Sequence, residues 1–160
     1  MSLTRPALDP RDLEPICASG YPPQYAARVL PRARRALGDA LGLTRIGVNL
    51  TTLEPGKESS MRHWHTHEDE FVFVVSGEIV LRTEAGEQTL RAGQCAGFPA
   101  SRADGHQLLN RTTETAVYLA ISNRDDADLC HYPDVDMQWN APEAPNVFSR
   151  KDGTPYPEAR

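Results

Sequence analysis

The chain has 160 residues, with 17 basic against 22 acidic side chains and a formal net charge of −5. With 39% apolar and 24% charged residues, its composition excludes a disordered chain, a collagen or a coiled coil and sets a single domain as the expectation. The acidic balance makes nucleic acid or an anionic membrane surface an unlikely class of partner. The longest apolar run spans residues 116–121, far short of the roughly 20 residues that cross a bilayer. The opening MSLTRPALDP has no apolar stretch of the secretory kind. Three widely spaced cysteines, Cys17, Cys95 and Cys130, suggest no disulfide framework and fit a reducing cytoplasm. Cys17 and Cys130 read as small buried hydrophobes. Cys95 reads as a buried thiol or, less simply, a pocket residue.

Residues 1–23 hold five prolines and read as an irregular arm. Over 31–41 the pattern becomes helical: Pro31 suits a first turn, Leu30, Leu37 and Leu41 share a face, and Gly42 supplies a stop. A short helix over 31–41 is therefore expected. Arg28, Arg32, Arg34 and Arg35 form the one basic cluster, expected on a solvated helix face, with contact to an anionic partner as the alternative. The arm and helix occupy 1–44.

From residue 45 the period switches to two. RIGVNLTTLE alternates Ile46, Val48, Leu50 and Thr52 against Gly47, Asn49 and Thr51. EFVFVV, EIVLRTE, QTL, QCAGF, HQLLNR and TAVYLAIS follow, separated by Pro55-Gly56, Ser76-Gly77, Ala85-Gly86, Ala92-Gly93 and Asp104-Gly105. Such a series of short strands predicts an all-β sandwich or barrel over 45–122, and no helical stretch lies between the strands to make a βαβ sheet. Residues 123–160 are again proline-rich but carry Tyr132, Val135, Met137, Trp139 and Phe148. This extension is expected to pack on the barrel or on a partner subunit. Asp134 and Asp136 alternate with Val135 and Met137, as in an edge strand with one wet face.

The chemistry concentrates in RHWHTHEDE, which holds His63, His65 and His67, and in DGHQLLN, which holds His106. Residues two apart on a strand share a face, so His63 and His65 present adjacent imidazoles. Aligned imidazoles facing a core need a partner, and a divalent transition metal satisfies several at once. Glu70 falls on the wrong parity, but the polar run 66–69 can form a turn or bulge that resets the face.

These motifs resemble the two signatures of the cupin superfamily. The first is Gly56, six residues, His63-Trp64-His65, four residues, Glu70, six residues and Gly77; the second is Gly93, five residues, Pro99, and then Gly105-His106, three residues and Asn110. One extra residue follows Gly56 and the stretch between Pro99 and His106 is long, so the ligand assignment stands while the shape of the entrance differs. The resemblance implies a double-stranded β-helix, the cupin jelly-roll barrel, enclosing a metal held by His63, His65, Glu70 and His106. His67 would then stand at the rim, because a frame using His65 and His67 leaves too few residues before Glu70. The flanking segments are similar to small bacterial cupins whose chemistry is generally unassigned.

Such a ligand set leaves open positions on zinc, iron, manganese or nickel. Candidate acids or bases are His67, Cys95, Tyr118 and Arg62, with core packing the simpler role for Tyr118 and a surface role for Arg62. Gln107 and Asn110 serve the strand end, and Trp64 faces away from the ligands. The functional expectation is a small metal-dependent enzyme, an isomerase or dioxygenase of the cupin type, acting on a sugar phosphate, keto acid or similar polar molecule. The alternative is a metal-dependent binding or sensing module without turnover. A DNA-linked regulator is disfavoured, since one short helix makes half a helix-turn-helix at best. A homodimer is expected, with arms or edge strands crossing between barrels.

Overall fold

The computed structural model describes residues 3–157. In chain order the elements are a 3-10 turn (Pro10–Asp12), α1 (Pro23–Val29), β1 (Arg32–Ala36), α2 (Leu37–Ala40), β2 (Ile46–Leu53), β3 (Trp64–His65), β4 (Glu70–Ser76) and β5 (Glu78–Thr83). They continue with β6 (Gly86–Arg91), β7 (Cys95–Phe98), β8 (Gln107–Leu109), β9 (Ala116–Asn123), β10 (Cys130–Tyr132), β11 (Met137–Ala141) and β12 (Ala144–Ser149). The strands form a five-stranded sheet in the order β1-β2-β9-β4-β7, a four-stranded sheet β12-β11-β10-β3 and a three-stranded sheet β6-β5-β8. This is an antiparallel all-β barrel, as the period-two pattern anticipates, with the jelly-roll architecture that the cupin resemblance implies.

Of the helix expected over 31–41 only the last part forms, as α2 at Leu37–Ala40. Residues 32–36 are a strand, registered antiparallel on β2 from Arg32 opposite Leu53 to Ala36 opposite Asn49. The free edge of β2 offers a ladder of unpaired backbone groups, and filling it outweighs the weak local helical preference of Arg and Ala. A longer helix lies earlier, at α1, where Pro23 stands at the first helical position and its missing N–H costs nothing. The stop was placed correctly: α2 ends before Gly42, whose φ is +75°, a conformation glycine adopts without strain. The arginine cluster consequently lies mainly on a strand, with Arg32 and Arg34 on one face and Arg35 on the other.

Inside the barrel, Leu53, Val72, Val74, Ile79, Leu81, Leu90 and Leu108 form a core cluster with Ala116 and Tyr118. On β2 the inward residues include Thr51 and Leu53, both buried, while Ile46 at the other end of the alternation is 41% exposed. The more polar set of that strand thus faces the interior, because that part of the interior is a wet cavity. At the β4–β5 turn a Cβ on Gly77 would stand 2.9 Å from the Ala116 Cα, so only glycine fits.

A second cluster joins both ends of the chain: Tyr21 and Val29 from the lead-in, Met61, and Cys130, Tyr132, Met137 and Tyr156 from the tail. The Tyr21 and Tyr132 rings meet edge to face at 5.9 Å and Tyr25 and Tyr156 at 6.3 Å. Residues 133–136 form a turn instead of the expected edge strand. Asp134 there receives the Arg62 guanidinium, with Nε at 2.8 Å and Nη2 at 2.6 Å. Cys130 is buried as expected, but Cys17 and Cys95 are exposed. Alternation explains Cys95: Phe98 and Ala96 pack inward on β7, so Cys95 points out.

Candidate metal centre

Local pairing brings the four residues together. His63 and His106 exchange both backbone hydrogen bonds, His63 N–H to the His106 carbonyl at 3.0 Å and His106 N–H to the His63 carbonyl at 2.8 Å. Residues so paired project to the same side of the sheet. His65 follows two residues later on β3. The chain leaves regular pairing over 66–69 and re-enters as β4 at Glu70, which is how the parity is reset. Glu70 then pairs with Phe98, and the Phe98 ring lies flat on His106 at 3.6 Å.

The three imidazoles converge on one atom. From Glu70 Oε2, Nε2 of His106 is at 2.7 Å, of His65 at 3.5 Å and of His63 at 3.6 Å. Among the described residues that oxygen is buried without a well-directed hydrogen bond. Leaving a buried carboxylate oxygen so is costly. A divalent cation between the four donors would satisfy all of them, and a set of three neutral nitrogens and one oxygen suits zinc, iron, manganese or nickel. The residues present therefore fit a transition metal.

Two of the three imidazoles are fixed from behind, whereas His106 Nδ1 is buried without a hydrogen-bond partner among the described residues. His63 Nδ1 lies 2.9 Å from the Met61 carbonyl and 3.2 Å from Ser60 Oγ. His65 Nδ1 lies 2.5 Å from Asp128 Oδ2. The other Asp128 oxygen accepts the backbone N–H groups of His67 at 2.8 Å and Glu68 at 3.2 Å. A proton held on Nδ1 leaves Nε2 as a lone pair facing the cavity, the usual arrangement behind a ligating imidazole.

Mutual metal-binding reach joins His63, Glu70 and His106, with His65 beside them, and two other groupings share these residues: His63 and His65 with Cys130, and His65 with Glu68 and Asp128. Burial pushes the Cys130 thiol up, which keeps it protonated and a poor ligand. Asp128 is already committed to two backbone donors and His65. Glu70 is opposite in character. Burial disfavours its charge, but the close His106, His63 and His65 imidazoles outweigh that and hold it well below the usual carboxylate range. For His65, burial opposes the imidazolium, yet the Asp128 carboxylate and then Cys130 and Glu70 push its pKa up to about 11. Burial, only partly offset by Glu70, lowers His106.

The ligand side chains face a cavity of about 430 Å³, whose other walls include Arg32, Arg34, Thr51 and Tyr118. Of the expected acids and bases only Tyr118 reaches it, buried, with its phenol pushed up by desolvation. His67 is exposed and bonded to Thr66 Oγ1 at 2.8 Å. Arg62 bridges Asp134 and Glu84. Gln107 and Asn110 are buried and hold backbone: Gln107 Nε2 donates to the Ser60 carbonyl at 3.0 Å, and Asn110 Nδ2 to the Leu53 carbonyl at 2.8 Å. Trp64 faces away and stacks on His131 at 4.2 Å. Sequence reasoning missed Asp128, Arg32 and Arg34. The one available signal was the R-x-R spacing at 32–34, which puts both guanidinium groups on one face if the segment is a strand.

The fold is that of a cupin barrel, and these residues form a candidate metal site in its interior. The Cupin domain family matches residues 49–122, and the chain belongs to the cupin superfamily. It is 42% identical to a sugar phosphate isomerase of that superfamily from Silicibacter pomeroyi, over 94% of this chain and 96% of that one, with a TM-score of 0.87. It is 37% identical to a protein from Acidithiobacillus ferrooxidans, a sugar phosphate isomerase by assignment, over 76% and 72% of the two chains, with a TM-score of 0.64. The polyketide cyclase RemF from Streptomyces resistomycificus shares the fold alone, at 14% identity, a TM-score of 0.63 and coverage of 76% and 81%. A comparison with curated proteins returned no match.

Proposed function

We propose that the protein is a metal-dependent isomerase of a small sugar phosphate, interconverting the aldose and ketose forms of a hydroxy-carbonyl substrate. The observation that carries the reading is the orphaned Glu70 Oε2 with three imidazole Nε2 atoms around it, opening on a cavity of substrate size. The 42% and 37% identities to a sugar phosphate isomerase and to a protein assigned that activity support the substrate class. His63, His65, Glu70 and His106 would hold the metal. When bound, it would supply a Lewis acid at the substrate's carbonyl and hydroxyl oxygens.

The chain's own groups do the remainder. Asp128 keeps the His65 proton on Nδ1. Phe98 covers His106 and keeps water off that face. Tyr118, protonated at neutral pH because burial raises its phenol, donates a hydrogen bond to a substrate oxygen. We propose a second copy of the chain as protein partner and the cytoplasm as compartment. The exposed apolar residues Ile46, Phe71 and Val75 give a two-fold contact something to cover.

The test is a panel of aldose and ketose phosphates incubated in deuterated water with metal-loaded protein. Isomerisation of a member of the panel supports the proposal, and solvent deuterium at the carbon beside the carbonyl would show that the transferred hydrogen passes through an exchangeable group. Metal and ligand binding with no exchange and no turnover across the panel would make the protein the binding module instead.

A further inference from the structure

We infer that Arg32 and Arg34 form an anion-holding pole in the barrel wall, and that it takes the phosphate monoester of the substrate. The inference rests on the proposed sugar phosphate chemistry and names the residues that hold the charged end. Both arginines line the same cavity as the histidines and Glu70. They stand two residues apart on β1, opposite Leu53 and Thr51 of β2, so both side chains project to the inner face.

Neither guanidinium is neutralised. Arg32 Nη1 donates to the Ser59 carbonyl at 2.5 Å, and Arg34 Nη1 contacts Asn49 Oδ1 at 3.3 Å. Both acceptors are neutral, and no carboxylate lies within ion-pair distance of either arginine among the described residues. Other arginines are ion-paired, Arg28 with Glu58, Arg62 with Glu84 and Asp134, Arg111 with Glu87 and Arg124 with Asp39. Arg5, Arg35, Arg45, Arg82 and Arg102 make no ion pair among the described residues, but none of these lines the cavity. Two half-buried like charges about 7 Å apart along one strand repel each other unless an anion joins them.

The surroundings favour a ligand with several acceptor oxygens. Arg34, Thr51 and Tyr118 lie in one row across β1, β2 and β9, which adds two hydroxyl donors to two guanidinium forks. The carboxylate of the cavity, Glu70, is committed to the imidazoles. A phosphate dianion offers three oxygens to such forks, and its bonds to arginine are charge-assisted and directional.

The placement of this pole in the sequence also matters. His63, His65, Glu70 and His106 all fall within the matched family region 49–122, whereas β1 lies before it. The metal centre is thus built from the shared barrel and the arginine pole from a strand added at its edge. Specificity for an anionic substrate then belongs to the added strand.

The experiment measures binding of inorganic phosphate, ribose 5-phosphate, ribose and a carboxylate probe, malate, to the metal-loaded protein by calorimetry. Wild type, R32Q, R34Q, R34K and R32Q/R34Q are compared, with metal content and melting temperature recorded for each. The expected result is that ribose 5-phosphate binds more tightly than ribose or malate. Each Gln variant should raise the phosphate Kd roughly ten- to a hundredfold at unchanged metal content, and R34K should fall between. If the double variant does not fold, the single variants decide. Phosphate affinity unchanged in folded R32Q and R34Q, equal binding of ribose and ribose 5-phosphate, or a preference for malate would each overturn the inference. Arginine-dependent phosphate binding by a protein that takes up no metal would overturn the proposed function and leave the pole standing. Isomerase turnover with arginine-independent phosphate binding would do the reverse.

Discussion

Asp128→Asn removes one charge from the centre at constant shape, and its consequences follow from three contacts. Asp128 is 1% exposed. One oxygen accepts the His67 and Glu68 N–H groups, and the other lies 2.5 Å from His65 Nδ1. In the variant the Asn carbonyl oxygen keeps the two backbone donors, so the amide nitrogen must face His65. An N–H pointing at Nδ1 makes Nδ1 an acceptor and moves the ring proton to Nε2. That is the atom aimed at Glu70 Oε2 at 3.5 Å, and a protonated Nε2 cannot bind a metal. Loss of such an outer carboxylate typically costs ten- to a hundredfold in metal affinity, about 1.4–2.8 kcal/mol. The assay is competition for zinc or manganese against a chromophoric chelator at pH 7.5, with circular dichroism confirming the fold. Wild-type affinity in a folded Asp128→Asn protein would refute the argument that Asp128 sets the His65 tautomer.

Further outcomes follow from the same geometry. His106→Ala and His65→Ala should each lose most bound metal, while His131→Ala and His67→Ala should lose none, as read by elemental analysis after gel filtration. Removing metal at pH 7.5 should lower the melting temperature by about 5–11 °C, and the increment should shrink as imidazoles protonate through about pH 6 to 5. The metal-free protein should show a separate trend. The folded pKa of His65 lies above its unfolded value, so its stabilising contribution is complete below about pH 6.5 and declines as pH rises towards 11. Thermal scans of metal-free protein from pH 6 to 9 should show that decline, and Asp128→Asn should flatten it. Light scattering at micromolar concentration should return a dimer, and Val75→Glu should return a monomer of unchanged melting temperature at low concentration.

The convergence of His63, His65, Glu70 and His106 was legible because its signals are local. Imidazoles two residues apart share a strand face, and an all-polar stretch before FVFVV announces the break that turns Glu70 inward. Asp128 could not be found that way. It sits among Asp125 and Asp126 in an aperiodic tail, and its role arises when β10 pairs with β3 to set Cys130 opposite His65, a contact spanning more than sixty residues. The arginine segment failed for a related reason. Its composition suits a helix, and only the open edge of β2 makes it a strand. On β2 itself hydrophobicity misleads about facing, because the inner wall there borders a polar cavity and Ile46 stands outside. Cys95 was judged by residue type where the parity of β7 decides.

The most direct test of the metal centre is X-ray absorption at the zinc edge of the zinc-loaded protein. With His63, His65, Glu70 and His106 as ligands, the first shell should contain only nitrogen and oxygen scatterers at about 2.0–2.2 Å, with multiple scattering from three imidazoles. A sulfur scatterer at about 2.3 Å would place Cys130 in the shell with His63 and His65, and would contradict the assignment of Glu70 as the fourth ligand.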